Sequence, residues 1–167
     1  SVVAGPTVIG NAEGAFDYMR SYPYMCWEQR LSKGTMASHY NNLEKYLSED
    51  LQWPGAKQLP SATLSDAASF QAPNGGMAYF RPVNDYVSPY LSAYTAMAFN
   101  WLRAAGHEVP GGVEKKLHTY LGRLLRRKVF PTFYNQGMTS TVRAVALAAL
   151  APHGKANLDA VSYTHLT

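Results

Sequence analysis

One cysteine, Cys26, stands in 167 residues. That scarcity excludes an internal disulfide and a metal site built from several thiolates. It says nothing of compartment, because a lone thiol suits reducing and oxidising surroundings alike. Long apolar runs are missing too. None approaches the ~20 residues that cross a bilayer, and no signal peptide opens the chain. Alternation of apolar and polar positions, the mark of a half-buried strand, is absent over any useful length, so a β architecture is not expected. Charge is sparse: 16% of residues are charged, for a net +4 and a pI near 9.2. Basic residues gather only over 123–128 and do not interleave with exposed aromatics, which argues against a nucleic-acid partner. The histidines His39, His107, His118, His153 and His165 show no metal-ligand spacing, so neither a metal nor a cofactor is expected.

What is present is an ordinary globular composition, 47% apolar, with helical periodicity throughout. Six helices are predicted. The first covers roughly 11–21 and is stopped by Pro23, and the second runs from Cys26 to about Leu47. The third starts near Ser61 and ends before the turn Pro73-Asn74-Gly75-Gly76. The fourth has Ser88 as N-cap, Pro89 at its first position and Gly106 after its last turn. A fifth, about 112–128, sets Val113, Leu117, Leu121 and Leu124 against a basic face of Lys115, Lys116, Arg123, Arg126 and Arg127. The sixth, about 139–151, is apolar almost all round and is expected to be buried from both sides. This is an all-α chain in which amphipathic helices alternate with more apolar ones, the pattern of helical hairpins in two layers.

The octapeptide Tyr22-Pro23-Tyr24-Met25-Cys26-Trp27-Glu28-Gln29 carries the chemistry. On a helix, positions i and i+3 share a face, so the Cys26 thiol and the Gln29 carboxamide are neighbours. A thiol there can attack the carboxamide carbon, expel ammonia and close a thioester, a stored electrophile able to acylate an amine, a hydroxyl or water. Taken alone, Cys26 and Gln29 also read as a small buried hydrophobe beside an incidental glutamine. Glu28 likewise reads as a first-turn acid on the helix dipole.

The run resembles the thioester motif of the alpha-2-macroglobulin and complement superfamily, in which an aromatic-Pro segment leads into Cys-x-Glu-Gln. The likeness is closest to the bacterial alpha-2-macroglobulins and extends from about Gly5 to about Gly154. The vertebrate pattern has glycine where this chain has Met25 and Trp27. A second stretch, Gln71 to Gly75-Gly76 and Tyr79-Phe80 followed by Leu91-Ser92-Ala93-Tyr94, resembles the pattern of alpha/alpha toroids, shared by complement thioester domains, triterpene cyclases and protein prenyltransferases.

The resemblance implies a partial alpha/alpha toroid, terpenoid-cyclase-like, amounting to about half of a full ring, with inner faces left for the other half to cover. It implies that residues 1–160 are the N-terminal portion of a thioester domain. Cys26 and Gln29 would form the thioester, Glu28 would support the motif, and Tyr22, Pro23, Tyr24, Met25 and Trp27 would shield the bond from water. The implied activity is that of a broad-spectrum endopeptidase inhibitor, not an enzyme. A protease cuts a bait region elsewhere, and the exposed thioester then acylates a surface lysine of the attacker. Partners are target proteases and the remaining domains of the parent protein, and the setting is the periplasm or cell envelope. No histidine motif for transfer to hydroxyls is found, so amines are the expected nucleophiles. Two other readings stand beside this one. A toroid enzyme of the terpene cyclase or prenyltransferase type would need an Asp-rich motif or a zinc site, whereas Asp50, Asp66 and Asp85 stand alone. A structural helical domain would form no thioester. The start at Ser1, without methionine, reads as a piece of a longer protein, and residues 161–167 as a non-native tail.

Overall fold

The computed structural model describes residues 12–23, 25–127 and 130–156; the tail at 161–167 lies outside them. Six α-helices follow one another: α1 (Ala12–Ser21), α2 (Trp27–Leu43), α3 (Leu59–Asp66), α4 (Pro89–Ala104), α5 (Gly111–Arg127) and α6 (Gln136–Leu150). Short 3-10 turns extend α2 (Glu44–Tyr46), α3 (Ala67–Phe70) and α6 (Ala151–His153). Among the described residues the only β pairing is an isolated antiparallel bridge between Gln71 and Met77.

Local chemistry sets these boundaries. Ser88 caps α4, its side chain accepting from Leu91 N–H, with Pro89 next in line. Gly106 takes φ +90° just past the helix end, a conformation that costs glycine little. The second helix is shorter than its apolar stripe predicts, because its last turn tightens into the 3-10 segment before Leu47. The sixth begins earlier than predicted, where Asn135 accepts from Met138 N–H as a cap that the apolar pattern does not reveal.

Burial corrects one expectation. The sixth helix is not enclosed on both sides: Val142, Ala146, Ala149 and Leu150 are buried, while Ala144 and Ala148 face outward. Alanine exposes so little apolar surface that an all-round apolar sequence does not require all-round burial. The enclosed helix is α4, with Leu91, Ser92, Ala93, Thr95, Ala96, Ala98, Phe99 and Leu102 all buried. Its small residues let α2, α5 and α6 pack against it from different sides. The main core gathers there, joining Trp27 and Leu31 of α2, Leu117 and Leu121 of α5, and Ala146 and Leu150 of α6. A smaller cluster of Phe16, Ala37, Tyr40, Trp53 and Ala56 fastens α1 to the far side of α2. The basic face of α5 is exposed at Lys115, Lys116, Arg123 and Arg126, as its spacing predicts.

The loop between α3 and α4 is fixed by polar groups as well as by the fully buried Met77, which joins the main core. Gln71 Nε2 donates to Gly75 O at 3.0 Å and to Val113 O at 2.9 Å, tying the loop to α5. Met77 N–H donates to Ser92 Oγ at 2.8 Å, tying it to α4. Gly75 sits at φ +91°, and a Cβ there would stand 2.5 Å from Lys116 O. We expect Gly75→Ala to destabilise the fold by about 2–4 kcal/mol, from left-handed backbone strain plus the clash. Chemical denaturation of parent and variant measures it; a loss below ~1 kcal/mol would mean the loop can move away from α5 without cost.

Candidate functional site

Cys26 is the N-cap of α2, with extended backbone (φ −67°, ψ 166°), so the reactive position precedes the first helical residue. Gln29 is the third residue of the helix, and its side chain turns back over that end. Its Oε1 accepts from Cys26 N–H at 3.0 Å, while the thiol faces the Gln29 backbone N–H in the reciprocal half of a capping box. The i, i+3 relation read from sequence is therefore a juxtaposition of carboxamide and cysteine. Both residues are partly exposed. Beyond capping, the arrangement brings the Gln29 carboxamide onto the Cys26 backbone at a helix start, where the helix dipole favours developing negative charge.

Distant residues hold this helix end in place. Trp27 N–H, one of the orphan donors of the first turn, is taken by Tyr79 O at 2.8 Å. Tyr79 lies two residues beyond the Gln71–Met77 bridge, so the glycine-rich loop aims its carbonyl at the start of α2. The Trp27 indole Nε1 donates to Thr95 Oγ1 at 2.9 Å, and its ring stacks on Phe70 with centroids 5.2 Å apart. Arg30 Nε donates to Met25 O at 3.0 Å, its guanidinium pairs with Asp66, and it covers the Phe70 ring. Lys33 Nζ reaches back to Arg20 O at 3.0 Å and Tyr22 O at 3.5 Å, fastening the segment that enters the site.

The five residues expected as a shield are placed differently from one another. Trp27 is fully buried in the main core, where it anchors the helix start. Tyr22 is half-buried against Tyr18, with rings 5.2 Å apart. Pro23 is exposed and Met25 is 57% exposed; Tyr24 lies outside the described residues.

Glu28 is partly buried, and its carboxylate faces phenols that the octapeptide does not contain. Burial raises the Tyr79 pKa, with Ser88 opposing through a hydrogen bond and Glu28, Tyr134 and Cys26 adding to the rise. Burial chiefly raises Tyr90 and Tyr94 as well, and the Glu28 charge adds to each. Tyr94 shares a hydrogen bond with Ser32 at 2.9 Å, and Tyr90 stacks on Tyr94. Tyr79 and Tyr90 also border an open apolar cavity of about 590 Å³, lined further by Phe80, Tyr86, Phe133 and Tyr134. Sequence reasoning passed over Tyr79, Tyr90, Arg30 and Lys33. Tyr79 and Tyr90 nonetheless carry a legible signal, Tyr79 in the Gly-Gly-aromatic stretch and Tyr90 at the head of the Tyr90-Leu91-Ser92-Ala93-Tyr94 run.

No protein-family model matches the chain, and no curated protein matches it significantly in sequence. Solved structures do match its fold. Native alpha-2-macroglobulin from Escherichia coli, from domain MG7 to the C-terminus, superposes with a TM-score of 0.77 at 22% identity. That match covers 92% of this chain and 25% of the other. The native conformation of the same E. coli protein gives 0.77, 22% and 92%, covering 10% of that chain. Salmonella alpha-2-macroglobulin reacted with methylamine gives 0.76 at 23% identity, with the same 92% and 10%. The present chain thus spans a small part of these proteins, and it has the all-α fold of that part.

Proposed function

We propose that this chain belongs to an alpha-2-macroglobulin-like inhibitor and is the N-terminal portion of its thioester domain, an open half of an alpha/alpha toroid. The carrying observation is the Gln29 carboxamide folded back onto the Cys26 N–H at 3.0 Å, at the N-terminus of α2. The fold likeness to bacterial alpha-2-macroglobulins supports the reading, as does the reaction of the Salmonella protein with methylamine, a small amine.

The chemistry balances within the chain. The Cys26 sulfur attacks Cδ of Gln29, the thiol proton passes to the amide nitrogen, the tetrahedral adduct expels it as ammonia, and the thioester remains. Target proteases are the partners. When one cuts the parent protein, a lysine amine on its surface attacks the same carbon. An isopeptide bond to Gln29 forms, the Cys26 thiolate leaves, and the amine proton passes to water. The inhibitor is consumed in the act, so this is single-use capture, not turnover. Glu28 supports the motif by complementing the helix dipole. Tyr22, Pro23, Tyr24 and Met25 shield the bond together with neighbouring domains of the parent protein, while Trp27 shields indirectly by holding the helix end. The setting is the periplasm or cell envelope; among the described residues no helix is long and apolar enough to cross a membrane.

Intact-mass measurement of the native full-length protein tests the reading. Ring closure lowers the mass by ~17 Da through the loss of ammonia, and methylamine then adds to Gln29 while freeing one thiol. An unreduced mass with a freely titrating Cys26 in the unprovoked protein would exclude the thioester.

A further inference from the structure

The fold assembles a second cluster, between α5 and the end of α6, whose parts are scattered in the sequence. Glu114 and His118 lie one turn apart on α5, and His153 ends the 3-10 turn after α6. One ligand atom from each lies within 4.8 Å of the others. His118 Nε2 is 3.8 Å from Glu114 Oε1, His153 Nε2 is 3.9 Å from the same oxygen, and the two imidazoles stand 4.5 Å apart. These gaps are too long for hydrogen bonds.

His118 is 5% exposed, and its Nε2 has no hydrogen-bond partner. A buried imidazole nitrogen left unpartnered costs stability unless something else fills its place. Its other nitrogen, Nδ1, is 3.0 Å from Lys155 Nζ. An ammonium can only donate, so Nδ1 carries the lone pair and the proton sits on Nε2, aimed at nothing.

We propose that Glu114, His118 and His153 form a binding site for a divalent transition metal ion of the zinc class. Two imidazoles and one carboxylate are a donor set suited to Zn²⁺, leaving a fourth position to water. Ligand atoms around a tetrahedral zinc stand about 3.4 Å apart, so the two edges to Glu114 need to contract by about half an ångström and the edge between the histidines by up to about 1.4 Å.

Ligation needs a neutral His118 and a proton shift that frees Nε2 on both histidines. Burial chiefly lowers the His118 pKa, to about 4, against an opposing pull from Glu114, so its imidazole is neutral at neutral pH. Asn100 Nδ2 is committed to Ala149 O, so its Oδ1 accepts from His153 Nε2 at 2.8 Å; to ligate through Nε2, His153 releases that proton to solvent, takes one up on Nδ1 and exchanges the Asn100 bond for the ion. Arg103 grips both Glu114 oxygens at 2.7 Å and holds the carboxylate in one orientation. Lys155 is exposed and swings to water on binding. The Nε2 proton is lost to solvent and Nδ1 takes one up, so His118 stays neutral throughout.

The ion would join α5 to the end of α6, a position apart from Cys26. The test titrates Co²⁺, as a spectroscopic stand-in, and Zn²⁺ into the full-length protein in a Cys26→Ser background, which keeps the thiol out of the titration. One saturable site with the visible bands of a four-coordinate ion is expected. His153→Ala should remove it, and Glu114→Gln should weaken it by at least ~10-fold. Because His118 is buried and its replacement endangers folding, these two partly exposed ligands carry the test. Equal spectra and affinities in parent and His153→Ala proteins, or no saturable site at all, would overturn the proposal.

Discussion

Under the proposed function, Cys26→Ser should abolish covalent capture of proteases by the full-length protein and leave its helices in place. The cysteine precedes α2 and is not among the buried core residues, so the stability change should stay within ~0.5 kcal/mol. What is lost is the leaving group, because an alkoxide departs far less readily than a thiolate. Gln29→Ala should be equally inactive but less stable by about 1 kcal/mol, since the bond to Cys26 N–H goes with it. Gln29→Glu separates the two roles: a carboxylate oxygen still caps the helix but has no ammonia to release, so capping survives and capture does not. Gel analysis of protease adducts, beside thermal unfolding of the same proteins, gives both readouts. Adduct formation by Gln29→Glu at the parent level would refute the role of Gln29 as acyl donor. Glu28→Ala should be milder, about 0.3–1 kcal/mol in stability from the helix dipole, with capture reduced rather than lost.

Trp27→Ala has the largest expected effect on the fold. The side chain is fully buried, stacks on Phe70 and donates to Thr95 Oγ1. Truncation removes all three interactions and opens a void in the main core, at a cost of about 3–5 kcal/mol. That is a large share of the 5–15 kcal/mol a domain typically holds. Trp27→Phe keeps the stacking and most of the volume, and loses chiefly the bond to Thr95, whose hydroxyl still donates to Leu91 O; about 1–2 kcal/mol should go. The function follows the packing, because Trp27 fixes the helix end that carries Cys26. Urea unfolding midpoints with unchanged slopes would record the loss. A cost under ~1 kcal/mol for Trp27→Ala would show that the helix end is held by the Tyr79 carbonyl and Arg30 rather than by the core.

Much of this protein was legible along the chain because it depends on neighbours in sequence. The apolar spacing marks six helices, Ser88, Pro89 and Gly106 mark the ends of α4, and the i, i+3 spacing brings Gln29 over Cys26. Each is settled within one or two helical turns by backbone hydrogen bonding and capping, so local residues suffice. Burial was another matter. The composition of α6 suggested enclosure, yet α4 is the enclosed helix, because which faces meet depends on how all six helices pack. The grip on the candidate site is non-local in the same way. Tyr79 O reaches Trp27 N–H, Thr95 receives the indole, and Glu28 sits among Tyr79, Tyr90 and Tyr94. Histidines without metal spacing in sequence meet as His118 and His153 only once α6 has folded back on α4 and α5. The chain alone determined its helices and its thiol–carboxamide pair; packing decided what surrounds them, since side chains far apart in sequence become neighbours only through the tertiary fold.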